Sequence, residues 1–437
     1  MAEQMKPSGI DWIGEIPCSW NIKRIKYLAQ LKGRIGWQGL TSDEYTDVGP
    51  FLITGVDFSN GGINWENCVH ITEERWAEAP EIHIKNGDLL ITKDGTVGKV
   101  AIVENLQGKA SLNSGVLLIK TSNDYNKKFL YWALLSEEFW TWFRLKNAGN
   151  STIVHLYQND FAEFSYTFPD ATEQQAIADF LDKECAQIDS IAADLEKQIA
   201  LLQQYKKSLI TETVTKGLDK SVPMKDSGVE WIGEIPEYWR LKRLKYIAKL
   251  KTGTTPPGNE GINYDENGIN WFTPSDFLPN MQLDTSEKYI DRETIRYENI
   301  QTYPRGSVLL VAIGATVGKI GISKNNAYSN QQITAVIPQH ISGNYLLYYL
   351  ASKSPYIKDN ALYTTLPIIN NSYLQNITIV VPPTTEQEKI VEFLNRKCSI
   401  IDELIEDKNK LLLRLQQHKK SLIYECVTGK KRVKEVQ

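Results

Sequence analysis

The chain has 437 residues, with 49 Lys plus Arg against 53 Asp plus Glu and a formal charge of −4, so taken whole it is not a basic nucleic-acid binder. Hydrophobic residues at 42% and charged residues at 23% are globular values that exclude wholesale disorder. The longest apolar runs, such as Val308 to Ile313, fall far short of the roughly 18 residues of a membrane helix. The length suits roughly two to four domains, and the polar stretch Met1 to Gly9 lacks a signal core, so a cytoplasmic chain with no membrane contact is expected.

The first element along the chain is also the first half of a repeat. Met5 to Tyr27 (MKPSGIDWIGEIPCSWNIKRIKY) returns as Met224 to Tyr246 (MKDSGVEWIGEIPEYWRLKRLKY), identical at 15 of 23 positions at a spacing of 219. Thr54, Asp57 and Phe58 recur as Thr273, Asp276 and Phe277, and the segment from Gly87 through Lys99 recurs from Gly306 through Lys319 with one residue inserted. Pro169 to Thr215 then matches Pro382 to Thr428 at 23 of 47 positions, offset by 213. Two modules alternate twice, which places boundaries at 1–170, 171–217, 218–380 and 381–437 and implies a tandem duplication. Between the matched blocks the halves diverge, as at Asn60 to Ala79 against Pro279 to Glu298. One scaffold carrying two different reading surfaces would look like this.

The long modules read as mixed α/β. Asp88 to Thr92, Val100 to Val103, Gly115 to Ile119 and Val308 to Ile313 are short apolar runs bounded by Gly and Asn, as buried strands are. Phe129 to Phe143 and Tyr345 to Leu350 have amphipathic helical spacing. Basic residues cluster at Lys23, Arg24, Lys26, Lys32 and Arg34 and again at Lys242, Arg243, Lys245, Lys249 and Lys251. Each strip could contact phosphates, or it could be the solvated face of a helix whose other side carries Ile22, Ile25, Leu28 and Leu31.

The short modules read as long helices. Thr172 with Gln175, and Thr385 with Glu388, fit a capping box, and about 40 residues then run without Pro or Gly to stop near Gly217 and Gly429, the residue type of a C-cap. The expected interface stripe is Leu181, Ile188, Ile191, Leu195, Leu202 and Leu209 in the first copy, and Leu394, Ile401, Leu404, Leu411, Leu415 and Leu422 in the second. Gln198, Lys408 and His418 interrupt it at positions facing a partner. Such helices, roughly 60 Å long, cannot bury a stripe alone, so pairing as an intramolecular antiparallel coiled coil is expected. The two globular domains on this pair would be related by a pseudo-two-fold axis, with the C-terminus near the N-terminus.

Catalytic signatures are missing. Thr96 to Lys99 and Thr316 to Lys319 (T-V-G-K) resemble part of a phosphate loop, but Lys93 and Ile313 stand where its first Gly belongs and Val100 and Ile320 follow the Lys. There is no G-x-G-x-x-G after a strand, no G-x-S-x-G and no Asn/Asp-Pro-Pro-Tyr/Phe, and Glu406-x-Lys408 lies in the helix stripe. Five cysteines without a C-x-x-C and five histidines without an H-E-x-x-H indicate no disulfide framework and no metal site. A binding protein is favoured over a stand-alone DNA-modifying enzyme, and a non-catalytic coiled-coil adaptor is the other alternative. Polar, Gly-punctuated stretches that differ between the copies are the candidates for base reading. They supply Lys32, Arg34, Lys93, Lys99, Asn113 and Asn150 in the first module, and Lys251, Lys319, Asn330, Gln331 and Thr364 in the second.

The doubled SGxxWIGEIPxxW start, the doubled x-V-G-K segment and the doubled T-E-Q-x-x-I-x-x-F-L helix start resemble the specificity subunit of type I restriction-modification enzymes. The resemblance covers nearly the whole chain. It implies two target recognition domains, each reading one half of a bipartite site in double-stranded DNA, and two long helices that set the spacer. It implies no catalytic site and no cofactor in this chain. S-adenosylmethionine would be carried by two methyltransferase subunits docked on it, and two restriction subunits would join for cleavage.

Overall fold

The computed structural model describes residues 4–34, 40–122, 125–148, 154–265, 268–363 and 366–433. Two compact units result, one formed by Met1–Leu195 with Leu411–Gln437 and the other by Glu196–Lys410. Each unit therefore takes half of each long helix.

In the first unit, the apolar runs Leu89–Thr92 and Val116–Thr121 lie at the centre of an antiparallel sheet flanked by Val100–Ile102 and Ala29–Gly33. The central strands are buried along their apolar length, as continuous rather than alternating hydrophobicity requires. A smaller sheet pairs Thr46–Ile53 with Ala110–Leu112 and Val69–His70. In the second unit Val308–Val311 and Ile333–Pro338 are central, between Ala248–Thr252 and Ile320–Ser323, with Gln282–Leu283 added at the edge. The two sheets share one plan.

One of the two readings of the basic strip falls away, and one expected helix changes form. Asn21–Arg24 is a strand paired with Ser165–Phe168, followed by a short turn at Ile25–Tyr27 and the strand Ala29–Gly33. The basic strip is thus not a helix face. Its apolar residues Ile25 and Leu28 reach the core from the turn instead. The run Phe129 to Phe143 is two helices, Lys127–Leu135 and Glu137–Lys146. Ser136 breaks it with an extended backbone, its hydroxyl turned back onto Ala133 O at 2.7 Å, the local competition that makes serine a poor interior helix residue.

The long helices span Ala171–Lys216 (central) and Thr384–Val427 (distal). Their caps differ from the expected capping boxes, because Thr172 and Thr385 already lie inside the helices. Asp170 Oδ1 accepts Glu173 N at 2.9 Å, and Pro383 O accepts Glu386 N and Gln387 N. The C-termini end as expected, with Gly217 at φ 77° and Gly429 at φ 72°. In the first unit the halves run antiparallel, since Glu173 and Gly429 meet at one end while Asp189 pairs with Lys419 at 2.6 Å farther along. In the second, Lys206 pairs with Asp402 at 2.6 Å and Lys408 donates to Gln198 at 2.7 Å. The two ion pairs are repeat mates, each residue displaced by 213 from its counterpart.

The buried and half-buried positions step by alternating threes and fours, the a/d pattern of paired helices. Leu181, Ile188, Leu195, Leu202 and Leu209 are on this seam, as are Leu394, Ile401, Leu415 and Leu422. Ile191, Leu404 and Leu411 are exposed at 45–49%. Ala192, Ile405 and Leu412 take their places, because a one-residue error rotates a side chain about 100° around the axis. Lys206 and Lys419 fall on the seam with Lys408, whereas His418 is exposed.

Candidate nucleic-acid interface

The repeated start motif and the repeated helix start are joined to each other. Trp20 Nε1 donates to Glu173 Oε2 at 3.0 Å, and its repeat mate Trp239 donates to Glu386 Oε2 at 2.8 Å. The next residue closes a second link. Gln174 accepts Asn126 N at 2.9 Å and donates to Pro169 O, and Gln387 accepts Ser342 N at 2.9 Å and donates to Pro382 O. Asn126 and Ser342 are the N-caps of the helices that cover each sheet. The same tryptophans meet the end of the other long helix. A Cβ on Gly429 would lie 2.5 Å from Pro17 and 3.2 Å from Trp20, and one on Gly217 would lie 3.1 Å from Trp239. The positive φ and this close approach both demand glycine. Glu and Gln of T-E-Q therefore hold a domain onto the helix pair, a role that sequence spacing did not reveal.

The T-V-G-K segments are hairpin turns. Thr92 N donates to Lys99 O and Gly98 N to Thr92 O, and in the second unit Val311 N donates to Lys319 O and Gly318 N to Val311 O. Gly98 at φ 81° and Gly318 at φ 89° make the turn possible. Beside each hairpin, an Asp accepts the backbone N–H and hydroxyl of the Thr three residues earlier. Asp57 does so with Thr54 at 2.7 and 2.8 Å, and Asp276 with Thr273 at 2.6 and 2.9 Å.

Around these hairpins the polar stretches that differ between the copies come together. In the first unit Lys93 N donates to Gly115 O, Leu156 N to Lys93 O, and Asn113 N to Ile53 O. Lys99 Nζ reaches Gly55 O at 3.4 Å, and His155 Nδ1 lies 2.6 Å from Asp94 Oδ1. In the second unit Thr254 N donates to Ser329 O, Asn330 N to Phe272 O, and Gly314 N to Pro367 O. Thr255 donates its hydroxyl to Gln331. The pairs His155–Asp94 and Thr255–Gln331 were not legible in the sequence, being 61 and 76 residues apart.

The candidate residues divide by what they are free to do. Lys99, Lys319 and Gln331 are exposed on the loop clusters, Lys93 is half-buried there, and Lys32 and Lys251 are half-buried on the edge strands. Asn113 is committed internally, accepting Ser114 N at 2.7 Å and donating to the Tyr45 hydroxyl at 3.3 Å. Asn330 exchanges two hydrogen bonds with Gln332. Arg34 is a correction. It is 3% exposed, donating to Leu112 O at 2.8 Å and Ser111 Oγ at 3.0 Å, and burial pulls its pKa below the usual arginine value. It braces the strand Ala110–Leu112 from inside and is not presented to a ligand. Asn150 and Thr364 lie outside the described residues. Among the described residues no group of three His, Cys, Asp or Glu could hold a metal, and no helix is long and apolar enough to cross a membrane.

These features define a duplicated helix-linked recognition protein: two mixed α/β modules with a shared frame and divergent loop clusters. The chain belongs to the family of the type I restriction modification DNA specificity domain, whose model matches residues 17–201 and 236–414. It is 25% identical to a putative type I restriction enzyme MjaX specificity subunit of Methanocaldococcus jannaschii, over 97% of this chain and 96% of that one. The MjaVIII specificity subunit of the same organism is 27% identical over 96% and 95%. Among solved structures, a chain reported under the assembly and conformational transition of the type I R-M system superposes with a TM-score of 0.75 at 17% identity, covering 95% of this chain and 99% of that chain. The HsdS subunit of Thermoanaerobacter tengcongensis superposes at 0.53, also at 17% identity, over 95% and 98%.

Proposed function

We propose that this chain is the DNA-reading subunit of a type I restriction-modification complex, without a catalytic site of its own. The modules at 1–170 and 218–380 act as target recognition domains, and each loop cluster reads one half of a bipartite site in double-stranded DNA. The helical segments at 171–217 and 381–437 form an antiparallel coiled coil that sets the spacer and docks partners. Those partners are two methyltransferase subunits, which bring the S-adenosylmethionine, and two restriction subunits.

The observation that carries this reading is the contrast between frame and loops. The Trp–Glu and Gln–N-cap links are the same in both units, while the loop clusters they support keep Asn113 and Asn330 as counterparts, donating from the backbone to Ile53 O and Phe272 O, and differ around them, with His155–Asp94 in one and Thr255–Gln331 in the other. A fixed frame with exchangeable readers suits modular recognition, with the distance between half-sites set by helix length rather than by loops. On this reading Lys99, Lys319, Gln331 and Lys93 contact base edges or phosphates.

The test is a module exchange. Residues 1–170 are replaced by the corresponding module of a relative, and the host methylome is sequenced with the cognate methyltransferase present. One half-site changes and the other stays. A methylome in which both halves change, or in which no bipartite motif exists, refutes the reading.

A further inference from the structure

Each loop cluster contains a turn whose ends are the same in both copies and whose tip is not. Asp57, 1% exposed, closes the first turn onto Thr54, and Asp276 closes the second onto Thr273. Between the retained Thr and Asp stand Gly55 and Val56 in the first unit, and Pro274 and Ser275 in the second. The frame thus fixes the backbone of the turn and leaves its tip free to vary.

At that tip the first unit presents an apolar side chain to solvent. Val56 is 77% exposed, whereas Leu52 and Ile53 before it and Phe58 after it are all buried, so the core does not hold it. A lone exposed valine is commonplace, but this one is mounted rigidly. The Thr96 hydroxyl and the Lys99 ammonium both donate to Gly55 O at 3.4 Å, tying the turn to the T-V-G-K hairpin, and Asp57 ties its other end to Thr54. The β-branched side chain is itself stiff about its first torsion. Little freedom is left to lose on contact, which is what makes a binding group efficient. Ser275, at the same place in the second unit, is also exposed, but its hydroxyl lies 2.7 Å from that of Thr273. The two tips therefore offer different chemistry on the same mount.

We infer that Val56 is a specificity-determining residue, packing on the C5-methyl group of one thymine in the half-site read by the first unit. The methyl of thymine is the apolar feature that the major groove displays among its donors and acceptors. A side chain with neither donor nor acceptor can select a base only through that group. The inference rests on the reading of the loop clusters as DNA readers, and it gives one of them a base and an atom. The second unit, with Ser275 at this place, makes no such contact.

The experiment uses the full chain with its cognate methyltransferase and a fluorescent duplex carrying the site found in the methylome. Each thymine is replaced in turn by deoxyuridine, which removes the C5-methyl and keeps the pairing edge. In the half-site that the module exchange assigns to residues 1–170, one replacement weakens binding about fourfold, the worth of one buried methyl, as read by fluorescence anisotropy. Replacements in the other half-site do not show this dependence on Val56. With Val56→Ser, whose urea midpoint stays at the wild-type value because the side chain is exposed, the thymine and uracil duplexes bind equally. The inference is overturned by a first half-site without thymine, by replacements there that are all neutral in the wild type, or by a Val56→Ser protein that keeps the fourfold preference. Each of those outcomes leaves the two-reader function standing, whereas a methylome with no bipartite motif overturns both.

Discussion

Single side chains decide how each module is held. Trp239 and Glu386 form a half-buried hydrogen bond whose acceptor is charged, the stronger class of such bonds. Glu386→Ala is expected to destabilise the chain by about 1.5–3 kcal/mol, read as a lower urea midpoint. Glu386→Gln keeps an acceptor and costs less; equal losses would show that the bond carries no charge dependence. A second residue-scale prediction concerns pH. The Glu138 carboxyl is raised to about 8 by burial, with the Lys430 charge partly opposing it, so the folded state binds a proton that the unfolded state has already released above the ordinary glutamate range. The unfolded state binds fewer protons, and stability therefore falls as pH rises from about 4.5 to 8 and levels off above that. At order-of-magnitude precision the loss is about 5 kcal/mol. Urea midpoints measured across this window test it: Glu138→Gln flattens the slope and is the more stable protein at high pH. An unchanged slope in Glu138→Gln would assign the effect to other groups.

At the scale of elements, the helix seam was nearly legible from its periodicity. The error at Ile191, Leu404 and Leu411 arose because apolar residues occupy adjacent positions, such as Ile400–Ile401 and Leu411 to Leu413, so that more than one stripe can be traced. Burial selects the stripe through Ala192, Ile405 and Leu412, which keeps the alternating step unbroken. The paired lysines Lys206 and Lys419 sit on that stripe, with their carboxylate partners more exposed. Such pairs contribute little stability but penalise a shifted register. Reversing both members, Lys206→Asp with Asp402→Lys, is expected to restore most of the stability that either single change removes, with a coupling of roughly 0.5–1 kcal/mol. A double-mutant cycle by denaturant unfolding reads it, and zero coupling would leave the pair without a registering role. Removing seven residues, one heptad, from each helix keeps the seam in phase and is expected to shorten the spacer in the methylome. An unaltered spacer would count against the ruler.

For the whole molecule the weak average charge needs rereading. The four segments carry net charges of −5, −3, +1 and +3, and the first basic strip is partly neutralised, since Arg24 and Lys26 both pair with Glu163 at 2.7 and 2.6 Å. Phosphate contacts dominate the affinity and salt dependence of DNA binding. The isolated chain is accordingly expected to bind a duplex weakly, with a shallow salt slope, and the complex with methyltransferase to bind far more tightly with a steeper one. Fluorescence anisotropy over a salt series measures both. A slope for the chain alone equal to that of the complex would mean that the chain supplies all the phosphate contacts.

The order of modules, the duplication, the two long helices and their glycine stops were determined by sequence alone, because repeats, periodicity and breakers act through neighbours in the chain. What only the tertiary structure decided was which residues are spent internally. Arg34, Asn113 and Asn330 have the side chains of base readers, yet each is consumed by a partner between 1 and 78 residues away. Glu173 and Gln174 looked like a helix start and proved to be the links between helix and domain, through Trp20 and Asn126. Donors and acceptors carry no mark of whether they will face water or one another, and only the packing of distant segments settles that.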